Sequence, residues 1–265
     1  MGIIEALIMG LVQGLTEFLP VSSSGHLVIA KQLLGGVKQP GILFEIMLHF
    51  GTLLAVLVYF RKEIASILCS LLPSSGIEEG KRKSERGFAL AVVIGTLPTV
   101  AIALLFKDIF EELFNSVKTV SFMLIITGAI LYFSDRVKKS GRETVRLRDA
   151  LLIGTIQGLA IIPGISRSGS TIATGLFGGL KAETAATYSF LLSIPAILGA
   201  VILHAGDLTG FDNGNILPYT VGVLAATTSG FLSIKVLMKI VAGRKLRFFA
   251  FYCWTVGIGS LIIGL

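Results

Sequence analysis

The stretch ALIMGLVQGLTEFLPVSSSG (residues 6–25) returns as ALLIGTIQGLAIIPGISRSG (residues 150–169) when the chain is slid along itself by 144 positions. Nine of the twenty aligned positions are identical: Ala6, Leu7, Gly10, Gln13, Gly14, Leu15, Ser22, Ser24 and Gly25. Apolar segments that match by chance share Leu, Ile and Val, whereas these share Gln, Gly and Ser in register, which marks an internal repeat. Each copy runs from an apolar stretch through a Pro-, Gly- and Ser-rich break into a second apolar stretch. Broken backbone inside a membrane is tolerated only where protein buries it or it lines a cavity. The quoted segments therefore predict two re-entrant helix-loop-helix hairpins.

The rest of the chain supplies the membrane. Of its 265 residues 53% are hydrophobic and 15% charged, with a mean hydropathy of +0.84, too apolar for an ordinary soluble surface. Runs at 42–60, 88–106, 117–134, 186–204, 217–238 and 248–265 are each close to the ~20 residues a helix needs to cross hydrocarbon. They lack the two-residue alternation of barrel strands. The expectation is an all-α integral membrane protein with six transmembrane helices and two re-entrant hairpins. Glu5 and Glu17 interrupt the apolar N-terminus and no basic leader precedes it, so it is expected to be retained rather than cleaved as a signal peptide. Cys69 and Cys253 are isolated and suggest packing rather than a disulfide framework or zinc site.

Loop charge sets the topology. Residues 61–87 carry Arg61, Lys62, Lys81, Arg82, Lys83 and Arg86; 135–149 carry Arg136, Lys138, Lys139, Arg142, Arg146 and Arg148; 239–247 carry Lys239, Arg244, Lys245 and Arg247. By contrast 205–216 has no Lys or Arg and 107–119 only Lys107 and Lys118. The basic loops are cytoplasmic by the positive-inside rule. They also account for the net charge of +7 without nucleic acid, anionic lipid being the better partner. Span 42–60 then starts outside and span 186–204 inside. The whole chain, 1–265, reads as one membrane domain. Repeat one (1–134) is a hairpin over 1–41 followed by spans 42–60, 88–106 and 117–134. Repeat two (150–265) is a hairpin over 150–185 followed by spans 186–204, 217–238 and 248–265. Three spans per repeat invert the second copy, and inverted repeats with broken helices place a binding site near the midplane at their interface.

Chemistry concentrates in the breaks. Gln13 and Glu17 share a helix face, followed by Pro20, Ser22, Ser23, Ser24, Gly25 and His26. The second break holds Pro163, Gly164, Ser166, Arg167, Ser168, Gly169, Ser170 and Thr171, preceded by Gln157. Each hydroxyl tract lies just before a new helical stretch, whose free N–H groups suit an anion; the hydroxyls could equally be plain helix caps. Arg167 suits a phosphate, since its fork bonds two oxygens at once; the alternative is a structural ion pair with Glu17. Glu17 suits a hard cation or a proton, or a neighbouring serine. His26 could deprotonate a serine, attack phosphorus itself, or be structural. His49 and His204 are read as structural, with His49 able to line the site.

Together QGLTEFLPVSSSGH (13–26) and PGISRSGST (163–171) resemble the two signature motifs of the undecaprenyl-diphosphatases, the bacitracin-resistance family of membrane phosphatases. The resemblance fits the length and span pattern of the whole chain. It implies hydrolysis of a polyprenyl diphosphate to the monophosphate and inorganic phosphate, in the plasma (inner) membrane, recycling the carrier lipid for envelope glycan synthesis. It implies a catalytic set of Glu17, Ser23, His26 and Arg167: Ser23 the nucleophile candidate, His26 its base or an alternative nucleophile, Arg167 the diphosphate clamp. Substrate contacts would come from Gln13, Ser22, Ser24, Gly25, Ser166, Ser168, Gly169, Ser170 and Thr171. The implied ion is Mg2+ or Ca2+ at Glu17. Where the family takes Glu or Gln at the leading position this chain has Gln13, one carboxylate fewer for that ion. Assembly is left open, a homodimer included. On architecture alone a lipid flippase or ion-coupled carrier is the competing class, but a carrier has no need of a hydroxyl nucleophile beside a histidine.

Overall fold

A computed structural model describes residues 2–33, 42–72, 78–114, 116–137, 141–203 and 216–263. These residues form α1 (Ile3–Phe18), α2 (Ser23–Leu33), α3 (Ile42–Tyr59), α4 (Arg61–Leu71), α5 (Glu79–Leu105), α6 (Lys107–Leu113), α7 (Val117–Ser134), α8 (Leu147–Leu159), α9 (Arg167–Phe177), α10 (Ala182–Leu203), α11 (Ile216–Ala242) and α12 (Arg247–Ile263). Lys138, Lys139, His204 and most of the 205–216 loop, which has no Lys or Arg, lie outside the described residues.

Among the described residues, α5, α7, α10 and α11 are long and apolar enough to cross a bilayer, and α3 with α4, bent by 74°, makes a fifth span if taken together. The remaining apolar helix, α12, has 17 residues. Large apolar side chains such as Val93, Leu97 and Leu104 on α5 or Leu224 and Leu232 on α11 stand exposed, which water would oppose and lipid does not. The chain is an all-helical, multi-pass membrane protein.

Each expected break is a real interruption. α1 stops at Phe18 and α2 begins at Ser23; α8 stops at Leu159 and α9 begins at Arg167. Two elements were not foreseen because they sit in loops judged by charge alone. α4 is held to α5 where Ser66 Oγ donates to Glu85 (3.1 Å) and Arg86 Nε donates to the Ser70 carbonyl (2.7 Å). α6 anchors on buried Phe110. α5 starts nine residues ahead of its apolar run, at Glu79, because Lys, Arg and Glu sustain helix once the backbone has left the bilayer.

Glycine sets the packing. A Cβ at Gly14 would collide with Ser229 of α11 and reach 2.5 Å from the Ala226 carbonyl. At the aligned position, Gly158, a Cβ would come 2.9 Å from Ile102 of α5, and at Gly154 it would strike the Gly95 carbonyl. α1 therefore lies tightly along α11 and α8 along α5, as small residues allow in membranes. The central core stacks Phe18 edge-on to Phe190 (centroids 5.6 Å apart), with Phe60 against Phe190 (5.8 Å).

Candidate active site

The two breaks touch. A Cβ at Gly25 would come 3.2 Å from Gly164 Cα, and one at Gly169 3.0 Å from Pro20 Cβ, so the tips of the hairpins pack directly. Ser168 Oγ reaches toward the Leu19 carbonyl (3.4 Å), and Cys253 is a buried packing residue whose thiol faces the Pro20 carbonyl (3.7 Å). Ser22 takes φ 69° and Gly164 φ 94°. A serine held in the left-handed region costs on the order of 1–3 kcal/mol, and such strain gathers at functional sites. Ser22 Oγ accepts from the Gly25 N–H (3.3 Å) and Ser166 Oγ from the Gly169 N–H (3.1 Å), so matched positions cap matched helices.

Around this junction four of the expected residues meet. Ser23 Oγ donates to Glu17 Oε2 (2.7 Å), Gln13 Nε2 donates to the same oxygen (2.9 Å), and Arg167 Nη2 donates to Glu17 Oε1. The carboxylate is 6% exposed and the guanidinium 16%. Arg167 thus makes the ion pair with Glu17, yet only with one arm: its Nη1 is buried with no hydrogen-bond partner, and so is Gln13 Oε1. Leaving such groups unpaired costs about 1–3 kcal/mol each, more for a charged one. One orphan is a cationic donor, the other a carbonyl acceptor.

His26 stands apart from this group. Its Nδ1–H donates to the Ser22 carbonyl (2.8 Å), so its Nε2 is the lone-pair nitrogen and accepts from the Tyr252 hydroxyl (2.8 Å), with the rings stacked at 5.5 Å. Neither nitrogen faces Ser23 Oγ. Ser24 Oγ pairs with Ser22 Oγ, and Ser168 Oγ with Ser166 Oγ, both at 3.3 Å. Thr171 is committed elsewhere, donating to the Arg167 carbonyl (2.7 Å) and lying 2.6 Å from Ser189 Oγ; Ser170 Oγ is buried without a partner. The repeat is unequal at Gln157, counterpart of Gln13, whose amide donates to Thr99 Oγ1 and the Leu192 carbonyl, both at 3.3 Å.

Two further neighbours complete the site, of which one escaped the sequence reading. Tyr252 comes from α12, and no local pattern links it to His26. His49, read as structural but able to line the site, does line it: its Nδ1 lies 3.1 Å from Gln13 Nε2 and 3.7 Å from Glu17 Oε2. Its place four residues after Glu45, on the same face of an apolar span, was the available signal.

A family model described as bacitracin resistance protein BacA matches residues 6–259. Among its relatives, the chain is 45% identical over 260 residues to the undecaprenyl-diphosphatase of Syntrophotalea carbinolica, covering 97% of both chains. It is 45% identical over 269 residues to that of Carboxydothermus hydrogenoformans (98% of this chain, 96% of the relative) and 42% identical over 267 residues to that of Halothermothrix orenii (99% and 98%). A match across nearly the whole length, motifs and spans together, carries one conclusion: the chain belongs to the BacA bacitracin resistance family.

Proposed function

We propose that this chain hydrolyses undecaprenyl diphosphate, or a closely similar polyprenyl diphosphate, to the monophosphate and inorganic phosphate, recycling the carrier lipid for envelope glycan synthesis and conferring bacitracin resistance. The observation that carries the reading is Arg167: one arm is held by buried Glu17, which also accepts from Ser23, and the other is buried and unpaired. A diphosphate oxygen satisfies that free arm. The N-termini of α2 and α9 add the positive ends of two helices to the same anion.

Ser23 is the nucleophile in this reading. Its Oγ attacks the terminal phosphorus, the proton passes along the existing hydrogen bond to Glu17 Oε2, and the polyprenyl monophosphate leaves as the phosphoanhydride bond breaks. Glu17 gives that proton up to the departing monophosphate; water then attacks the phosphoserine, Glu17 takes the water's proton and returns it to Ser23 Oγ as the Oγ–P bond breaks, and inorganic phosphate leaves. Arg167 holds the charge that develops on the equatorial oxygens. Among the described residues no cluster of three or more His, Cys, Asp and Glu could hold a metal alone. The donor set fits Mg2+ or Ca2+ in a shared form: Glu17 and the free Gln13 Oε1 supply hard oxygens and the diphosphate the rest. Such an ion would neutralise phosphate charge.

Six spans with two inverted re-entrant hairpins, in the plasma membrane, complete the proposal; the packing of each first hairpin helix on the other repeat's middle span supports it. The test is phosphate release by purified protein in detergent, where no gradient exists. Wild type releases phosphate and folded Arg167→Ala falls by at least ~100-fold; unaltered turnover by Arg167→Ala, or none by wild type, refutes the reading.

A further inference from the structure

Gln13 can face its neighbours in only one way. Ionised Glu17 offers acceptors alone, and its Oε2 lies 2.9 Å from the Gln13 amide. A carbonyl oxygen turned to that position would meet a carboxylate oxygen at hydrogen-bond distance, which is repulsive. The NH2 group therefore faces Glu17, and its second hydrogen points at His49 Nδ1, 3.1 Å away on α3. That nitrogen must be the lone-pair one, placing the His49 proton on Nε2. With both amide hydrogens engaged, the amide is locked and Oε1 is left fully buried and unbonded.

We infer that His49 is a positioning residue for the reaction: by accepting the second Gln13 hydrogen it fixes the amide so that Oε1, an acceptor rather than a donor, is presented to the divalent cation that accompanies the diphosphate. This rests on the diphosphatase reading above. His49 touches neither phosphate nor ion in this role; it acts through Gln13, as outer-shell partners of metal ligands do. The charge facing it is Glu17 of α1, at 3.7 Å, itself neutralised by Arg167 of α9. Without His49 the amide is held only by its single bond to Glu17 Oε2, and it can swing about that bond and carry Oε1 away from the ion's place. The chain would keep its anion clamp and lose its hold on the cation.

The experiment measures ion binding separately from turnover. Mg2+ is titrated calorimetrically into purified protein already loaded with a polyprenyl methylenediphosphonate, which cannot be hydrolysed. His49→Leu and His49→Phe remove the acceptor, the second keeping a ring; His49→Asn returns an acceptor, Oδ1, near the place of Nδ1. His49 is 39% exposed, so all three substitutions are expected to fold. The expected result is Mg2+ affinity weakened about tenfold or more in the Leu and Phe variants and within about threefold of wild type in Asn, with diphosphonate affinity unchanged in all. Wild-type Mg2+ affinity in both Leu and Phe overturns the assignment. Equal weakening in Leu, Phe and Asn overturns it too, since the ring's bulk rather than its lone pair would then matter. Wild type that releases phosphate yet takes up no Mg2+ overturns the assignment while leaving the diphosphatase reading standing.

Discussion

Glu17 holds three partners at once, and the consequences of removing its charge can be worked out bond by bond. In Glu17→Gln one oxygen becomes an NH2 that cannot accept from Arg167 or Ser23, and a buried guanidinium loses its counter-ion. Breaking a buried pair this way costs about 3–5 kcal/mol. Turnover should fall by about 10²–10⁴ with the proton acceptor gone. Phosphate release and thermal unfolding in detergent check both numbers. A second prediction separates the two nucleophile candidates: with substrate labelled at its terminal phosphorus, His26→Ala still traps a labelled phosphoserine, whereas Ser23→Ala traps none. The motif made Gln13, Glu17, Ser23 and Arg167 legible because their types are costly inside a membrane and had to find one another. Tyr252 was not, and His49 only as a residue able to line the site, since each reaches it from a separate helix whose rotation about its own axis no local spacing encodes.

At the level of helices the glycines sort into two kinds. Gly14 and Gly158 stand at the aligned positions where α1 meets α11 and α8 meets α5, and each is in close contact across its interface. Gly14→Leu adds a side chain where no volume exists, well beyond the ~1–3 kcal/mol of ordinary overpacking. Size-exclusion chromatography of the solubilised variant should show loss of the monodisperse folded peak. Gly87, in the charged first turns of α5, has nothing within 4 Å of a Cβ. Gly87→Ala should stabilise the protein by roughly 0.5–1 kcal/mol through helix propensity alone, read as a rise in midpoint on thermal unfolding. The apolar runs gave the positions of α3, α5, α7, α10, α11 and α12 because hydropathy is what selects them. α4 and α6 were hidden since their amphipathic faces sit in segments dominated by charge, as Arg61, Lys62 and Glu63 dominate the start of α4.

Across the whole molecule the two halves depend on each other. Each first hairpin helix is clasped by the other half, the polar centre takes Glu17 from one and Arg167 from the other, and on the second half's basic side Arg142 forks onto Asp149 while donating to the Gly178 carbonyl (2.9 Å). Neither half seats its own first hairpin helix. Split between residues 139 and 140, the two fragments should copurify and release phosphate when expressed together, and either alone should aggregate; a soluble, monodisperse single half would contradict this. The clasp of α1 by α11 also bears on biosynthesis. Ser229 of α11 reaches toward the Leu11 carbonyl across 218 residues of chain, which a ribosome adding ~5–20 residues per second takes roughly 10–40 s to make. For that interval the helix bearing Gln13 and Glu17 waits in the translocon's company without its seat. The helix that carries the site's carboxylate is thus made before the other described helices and is among the last to be sheltered, so nascent-chain quality control has a long opportunity at a segment that will do the chemistry.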